Sequence, residues 1–194
     1  MQCGILAHLV IGVGNRKDQV THLPNFLPIC TWVLKQEDST LSGKVVDLGD
    51  GQGLTRFGIG QASNPSVRSD FWTMSAAEAL PVAENNYRTS YWNRFQGDQI
   101  VDDGVASCLL SFSINDGAAR EVRMLQDCLN IPIDGIFGPQ TLEYTNAFNP
   151  GQLAAALRAA QADFYRALAA KNPADERFLA GWLARAARVY PSLS

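Results

Sequence analysis

Glu37 is the residue of this sequence best placed for acid–base chemistry. It follows an apolar run, and counting back in helical steps reaches Val33 and Ile29, so its carboxyl should lie on the stripe that faces the core. The charged form of an acid on such a face is poorly solvated, which favours the protonated state and makes the acid a proton donor. The alternative is an acid near a helix end whose side chain reaches solvent.

Asp50 and Thr55 are the next candidates. They belong to a glycine-rich turn, DLGDGQG, and to the β-prone run TRFGI that follows it. Asp50 in a polar turn would stay ionised and could orient water or offset positive charge, and Thr55 could position that water. Turn formation by Asp50 and its neighbour Asp47, or a plain strand role for Thr55, explains the same residues.

Local sequence signals define the elements that must position these residues. An apolar stripe with a proline in its opening turn predicts a helix from about Pro28 to Gln36, and β-prone runs around the glycine-rich turn predict a hairpin over residues 44–60. Everything afterwards is expected to be helical. The predicted fold class is therefore α+β, predominantly helical, with one small β-hairpin.

The helix after residue 74 has two possible starts. Ser75 and Glu78 have the spacing of a capping box, whereas Pro81 would suit the first turn of a helix. We favour the start at Pro81, because proline is disfavoured deep inside a helix.

Four more apolar stripes predict the later helices, with breaks at NDG (115–117) and NPG (149–151) and a helix start at Pro139. The stripes are Val105, Cys108, Leu109 and Phe112; Val122, Leu125 and Leu129; Leu153, Leu157, Ala160, Phe164 and Leu168; and Phe178, Trp182, Ala186 and Val189.

Composition limits the class of protein. A chain of 194 residues that is 46% hydrophobic and 18% charged has the composition of a typical globular protein and is long enough to form one hydrophobic core. Its net charge of −3 argues against a nucleic-acid binder, which needs clustered basic residues. Residues 152–194 nevertheless have six basic side chains against three acidic ones. That basic segment could meet an anionic polymer, or simply present a solvated helix face.

Cysteine usage argues against a metal site. The four cysteines have no CxxC spacing and only two histidines accompany them, so neither zinc nor another cofactor is expected. Cys30, Cys108 and Cys128 lie on apolar helical stripes, which favours free buried thiols, although a disulfide, including one to Cys3, stays open.

Residues 1–24 have the composition of a loosely specified extension. Their apolar stretch CGILAHLVIGVG is too short to span a bilayer and has no basic lead-in, so neither a signal peptide nor stable membrane insertion is expected.

Several spaced blocks also occur in a specific order: the helix-borne Glu37, the glycine-rich hairpin, TRFGI, YRTSYW, SFSINDG, LQDCLNIPIDGIFGPQTL and FLAGWLARAARV. In this order the sequence resembles glycoside hydrolase family 108, the lysozyme-like muramidases with a peptidoglycan-binding-like C-terminal segment. The resemblance implies one lysozyme-like domain over residues 25–190, after the 1–24 extension. Within that domain, residues 118–190 would form the peptidoglycan-binding-like segment.

The resemblance places Glu37 at the position of the catalytic acid. The family usually has His-Glu-Gly-Gly-Tyr there, where this chain has the run QEDST from Gln36 to Thr40. Asp50 and Thr55 keep the family's Asp-to-Thr separation, and Arg56 replaces a small polar residue. These departures leave open a weakly active, degenerate or binding-only protein.

Cleavage of a glycosidic bond requires a proton for the leaving oxygen and a group that stabilises the sugar cation. Glu37 suits the first task, whereas Asp50, with Thr55 beside it, suits the second.

Four further residues are candidates for substrate binding. Tyr87, Tyr91 and Trp92 could stack on sugar rings, although aromatic residues at helical spacing also serve as core. Asn115 could hydrogen-bond an acetamido group, or it could simply end a helix.

The expected substrate and partner is bacterial peptidoglycan, cut by a muramidase between N-acetylmuramic acid and N-acetylglucosamine. A lytic transglycosylase and a binding-only module are the alternatives. The protein would be made in the cytoplasm and would act in the periplasm or at the wall. It would get there through a holin, as a phage endolysin does, or through a secretion machine, as an antibacterial effector does. An effector would have an immunity protein, whose inhibitory loop would enter the Glu37 cleft.

Overall fold

The computed structural model describes residues 26–47, 49, 51 and 53–191. The predicted extension over residues 1–24, Cys3 and Asp50 lie outside the described residues. The described part contains a small antiparallel sheet and seven α-helices, which confirms the α+β, mostly helical class. The helices are α1 (Phe26–Glu37), α2 (Ala76–Ser90), α3 (Asp103–Asp116), α4 (Ala118–Cys128), α5 (Pro139–Ala147), α6 (Pro150–Lys171) and α7 (Glu176–Ala186).

Helix α1 buries the stripe that the sequence predicts. Ile29, Cys30, Val33 and Leu34 are almost completely buried, and the helix ends at Glu37. It begins at Phe26, two residues before the predicted start. Pro28 is therefore the third helical residue, still within the first turn, where a missing N–H costs no hydrogen bond.

The structure corrects the predicted start of α2. The helix begins at Ala76, because Ser75 and Glu78 form a reciprocal capping box: the Ser75 N–H donates to Oε2 of Glu78 over 3.0 Å, and the Ser75 hydroxyl accepts from the Glu78 N–H. Ala79 in this first turn is completely buried. Pro81 thus lies inside the helix, where capping and burial of the turn before it offset the hydrogen bond that it cannot make.

The region predicted as one hairpin, residues 44–60, forms a three-stranded sheet. Its strands are β1 (Val46–Asp47), β2 (Leu54–Arg56) and β3 (Ile59–Gly60), in the order β1-β2-β3. The run TRFGI is not one strand, because Phe57 and Gly58 form a turn with φ of 49° and 72°. Two positive φ values are typical of the tight turns that close two-residue hairpins. A bulky Phe at such a position is uncommon, which is why the pattern did not indicate a turn.

Arg56, unusual for the resembled family, has a structural role. Its side chain is 3% exposed, and Nη1 donates hydrogen bonds to the carbonyl oxygens of Phe71 (2.5 Å) and Met74 (3.0 Å). The guanidinium also lies over the Phe71 ring. Arg56 therefore ties the 3₁₀ turn over residues 69–72 to the sheet.

One core joins the two halves of the chain. Helix α3 is central: residues 105–113 are all buried, and the helix contacts α1, α4 and α6. Leu153 and Leu157 of α6 belong to the same buried cluster as Ile29 of α1. The C-terminal helices are therefore packed into the fold that holds Glu37, and α7 packs on α6.

Three of the cysteines behave as predicted. Cys30, Cys108 and Cys128 are all buried, and Cys30 and Cys108 are free thiols. Burial raises the pKa of the Cys30 thiol to about 12 and that of Cys108 to about 11. These thiols are structural rather than reactive.

Within the described ranges, no helix combines the length and apolar character needed to cross a bilayer.

Candidate active site

Glu37 is the last residue of α1, and its side chain is partly shielded. The side chain keeps 16% of its surface exposed, so the carboxyl is neither sealed off nor free in bulk solvent. Two features cover it: the turn at Phe57–Gly58 and the side chain of Arg185.

The turn at Phe57–Gly58 lies directly against Glu37. A Cβ atom added to Gly58 would come within 2.6 Å of Cγ of Glu37 and 2.8 Å of the hydroxyl oxygen of Tyr87. The Tyr87 hydroxyl in turn donates a 2.8 Å hydrogen bond to the carbonyl oxygen of Phe57. Tyr87 therefore fixes the turn over the acid, and Gly58 is required both by its positive φ and by the close approach of Glu37.

Tyr87 is a positioning residue rather than a sugar platform. It is 1% exposed. Its burial, and then the nearby charge of Glu37, raise its pKa well above the usual value, so it remains a hydrogen-bond donor.

Arg185 in the last turn of α7 is the charge partner of Glu37. Its Nη1 donates to Oε1 of Glu37, and 20% of its side chain is exposed. Burial acts to lower the pKa of Arg185, but the hydrogen bond and charge of Glu37 outweigh it and raise that pKa. Sequence reasoning expected only apolar shielding of the acid and missed this residue, which lies 148 positions away. The available signal was its place three residues after Trp182, near the apolar stripe of α7.

A buried polar cluster stands behind Arg185. Asp116, at the end of α3, accepts hydrogen bonds from Nε2 of Gln161 and from the Tyr165 hydroxyl (3.2 Å), and the charge of Arg185 reaches both Asp116 and Tyr165. Close to Asp116 lies Glu121, which is 1% exposed and whose two carboxyl oxygens accept no hydrogen bond from the described residues. Burial, and then the charge of Asp116, raise the pKa of Glu121 well above its usual value.

The residues that flank Glu37 in sequence differ in role. Neither polar atom of the buried Gln36 amide has a hydrogen-bond partner in the described part of the chain. The Asp38 carboxylate accepts hydrogen bonds from the Gly43 N–H (2.7 Å), the Ser42 hydroxyl (3.0 Å) and the Thr40 hydroxyl (3.2 Å). Burial acts to raise the pKa of Asp38, but these hydrogen bonds lower it overall. Asp38 therefore organises the loop between α1 and the sheet.

Thr55 occupies the middle strand of the sheet. It is partly buried and pairs with Val46 on one side and Gly60 on the other. Asp50 is not among the described residues, so its position relative to Glu37 stays a prediction. Asp47 is exposed and accepts the Gly49 N–H over 2.9 Å, as expected of a turn former.

Two of the aromatic candidates require correction. Trp92 is completely buried against Phe26 and Phe95, and its indole N–H donates to Oδ1 of Asp98 over 2.9 Å. With Tyr87 also buried, neither ring can stack on a sugar in this structure. Helical spacing indicates a shared face, but it does not say whether core or ligand covers that face.

Tyr91 and Asn115 remain accessible. Tyr91 is partly buried beside Tyr87, with ring centroids 5.9 Å apart. Asn115 is exposed near the end of α3, and its Nδ2 donates to the carbonyl oxygen of Ser111 over 2.8 Å.

No group of three or more His, Cys, Asp or Glu side chains within the described ranges is arranged to hold a metal ion.

Family models match nearly all of the described chain. Residues 30–117 match the model of glycosyl hydrolase 108, and residues 120–187 match the model described as "Predicted Peptidoglycan domain". The chain carries a glycosyl hydrolase 108 domain. The resemblance stated from the sequence blocks is thereby confirmed, and the protein is a glycoside hydrolase whose domains relate to peptidoglycan. Glu37 lies in the first matched range and Arg185 in the second, and the two side chains contact each other.

Comparison with solved structures supports the fold. The structure of SagA from Brucella abortus is similar, with a TM-score of 0.58 and 24% sequence identity over 84% of this chain and 96% of that chain. No curated protein matches the glycosyl hydrolase 108 chain.

Proposed function

We propose that this glycosyl hydrolase 108 protein is an N-acetylmuramidase that cuts peptidoglycan between N-acetylmuramic acid and N-acetylglucosamine, with Glu37 as the general acid. The observation that carries the proposal is the environment of Glu37. Its carboxyl is partly shielded at the end of α1, lies under the Phe57–Gly58 turn, and falls within the range that matches the family.

In this proposal the two carboxyl oxygens of Glu37 have different roles. Arg185 binds Oε1 of Glu37, which leaves Oε2 to carry a proton. In the proposed reaction this proton passes to the glycosidic oxygen as the bond from that oxygen to the anomeric carbon breaks. Water then adds its oxygen to the anomeric carbon, and the proton that the water loses restores the acid.

We assign the stabilisation of the sugar cation and the positioning of water to residues of the sheet and its glycine-rich turn. Asp50 would offset the positive charge that develops on the sugar, and Thr55 would orient water or substrate, as their positions in the resembled family imply. Tyr91 and Asn115 are the remaining candidates for substrate contacts.

The setting of the proposed activity is the bacterial cell wall. We assign residues 25–190 to a single lysozyme-like unit in which residues 118–190 help to hold peptidoglycan. The protein would act as a phage-type endolysin or as a secreted antibacterial effector, and in the second case an immunity protein would cover the Glu37 cleft.

Purified peptidoglycan tests the proposal. Wild-type protein should release soluble muropeptides, and Glu37→Gln should lower the rate by about 10²–10⁴-fold, the usual contribution of a general acid. Glu143→Gln, at an exposed acid on α5, is the matched control and should retain the wild-type rate. Equal release by wild type and Glu37→Gln would reject the assignment.

A lytic transglycosylase is the second candidate. It is favoured by the placement of Glu37 against the Phe57–Gly58 turn, since one acid suffices when a sugar hydroxyl of the substrate replaces water. Mass spectrometry of the released fragments separates the outcomes: reducing ends indicate hydrolysis and anhydro ends indicate the transglycosylase. Retention on insoluble peptidoglycan without any release would instead indicate a binding-only protein.

A further inference from the structure

The face of α7 that leads to Arg185 is an aromatic strip. Phe178, Trp182 and Arg185 follow at spacings of four and three residues, so they lie on one side of the helix. At 1.5 Å per residue they span about 10 Å along the helix axis. The strip ends at Arg185, which contacts Glu37, and is therefore continuous with the candidate active site.

The strip is only partly covered. Phe178 is 45% exposed and Trp182 is partly exposed, whereas Ala186 is the buried residue of this helix. An exposed Phe next to a second accessible aromatic side chain is a surface that a ligand or partner can use.

The rings are held in fixed positions. Trp182 stacks on Tyr165 with centroids 5.3 Å apart and lies 5.8 Å from Phe178. Tyr165 is 3% exposed and is anchored by its hydrogen bond to Asp116. The exposed guanidinium of Arg177 lies over the Phe178 ring at 4.6 Å, in a contact that a ligand can replace.

We propose that Phe178 and Trp182 form a glycan-binding subsite, which takes the sugar next to the one cut at Glu37. The proposal deepens the proposed function and rests on it. Amino sugars fit this surface because their apolar C–H faces and acetamido methyl groups pack on aromatic rings, while Arg177 and Arg185 offer donors to hydroxyl and carbonyl oxygens. Rigid aromatic anchors with a few polar groups beside them are typical of ligand sites.

The test measures glycan binding by the full chain, without turnover. In a Glu37→Gln background, titration calorimetry and tryptophan fluorescence are recorded with the probe N-acetylglucosamine tetrasaccharide. Phe178→Ala should weaken binding at least about tenfold, and Phe178→Tyr, which keeps the ring, should bind like the parent. Val189→Ala is the control, because Val189 is 62% exposed beyond the end of α7 and lies outside the strip.

The results separate this subsite from the proposed function, which is tested by product release from peptidoglycan. Phe178→Ala binding that equals the parent, or no binding by the parent, would overturn the subsite even if wild type releases muropeptides. A wild-type dimer in analytical ultracentrifugation that Phe178→Ala dissociates would also overturn it, because a second copy of the chain would then cover the strip. Weaker binding by Phe178→Ala from a monomeric parent would support it.

Discussion

Arg185 donates a hydrogen bond to the carboxylate of Glu37 and so joins the last turn of α7 to the end of α1. The contact connects the two ranges that match different family models. Glu37 is therefore held in part by the C-terminal segment, and truncation of that segment would remove a component of the candidate site.

The pair predicts that Arg185 positions the acid for catalysis. Arg185→Ala removes the hydrogen bond that holds the Glu37 carboxyl and should lower muropeptide release by up to about 10²-fold, the cost of a small misplacement of a catalytic group. Loss of the contact should also cost about 1.5–3 kcal/mol of unfolding free energy, the range for hydrogen bonds to charged groups. Muropeptide release, together with urea unfolding, checks both effects.

Two further variants serve as controls. Arg185→Lys keeps a charged hydrogen-bond donor and should keep most of the activity, and Arg188→Ala removes an exposed arginine of the same segment and should change neither activity nor stability. Unchanged release by Arg185→Ala, with lower stability, would show that Arg185 is only structural.

Gly58 should be essential for activity rather than for folding alone. Gly58→Ala adds a methyl group against Glu37 and Tyr87 at a position with φ of +72°. Gly51→Ala is the matched control, since Gly51 has φ of +77° and no atom of the described residues lies within 4 Å of the added carbon.

Both glycine variants should lose about 1–2 kcal/mol from the left-handed backbone conformation. Only Gly58→Ala should also lose muropeptide release, by displacing the acid. Thermal unfolding and release assays on the pair check this, and comparable activity in the two variants would contradict the close placement of the turn.

Glu121 should make the protein less stable as pH rises. Its pKa is raised in the folded state, so the unfolded chain loses this proton first; stability is greatest below the unfolded pKa of about 4.3 and falls as pH rises towards the folded pKa. Glu121→Gln removes the free-energy cost of keeping this carboxyl protonated in the folded protein. That cost is about 1.4 kcal/mol for each pH unit above the unfolded pKa.

Urea unfolding of wild type and Glu121→Gln at pH 4 and pH 7 measures the effect. The stability gain of Glu121→Gln should be larger at pH 7. Glu143→Gln, at an exposed acid, should show no such change. A gain that does not vary with pH would mean that Glu121 is not protonated in the native protein.

The buried thiols should be inert until the protein unfolds. The pKa values of about 12 for Cys30 and about 11 for Cys108 leave almost no thiolate at pH 8. In a Cys3→Ser variant, a thiol-specific disulfide reagent should therefore label no cysteine in native protein and three in denaturant. Rapid labelling of the native state would contradict the burial of Cys30, Cys108 and Cys128.

Much of the fold could be predicted because its signals are local. The stripe of α1, the proline at the start of α5 and the NPG break at the start of α6 each act within a few residues, so the sequence sufficed to place these elements. The start of α2 was predicted incorrectly, since the penalty of Pro81 was weighed without the tertiary burial of Ala79.

The candidate site was predicted in part. The place of Glu37 at the end of a buried stripe could be predicted, because helix periodicity alone fixes which side chains share a face, whereas its role as the acid stays a prediction from the family resemblance. The same periodicity misassigned Trp92, since a face turned inward can meet either core or cleft, and only packing distinguishes them.

The sequence by itself determined that an acid ends a buried helix beside a small glycine-bearing sheet. Tertiary structure alone decided that Arg185, 148 residues later, contacts that acid, that Tyr87 fastens the turn above it, and that Trp92 belongs to the core. The reason is physical: helices and turns form from interactions between near neighbours, whereas ion pairs and aromatic contacts between distant segments depend on how whole elements pack.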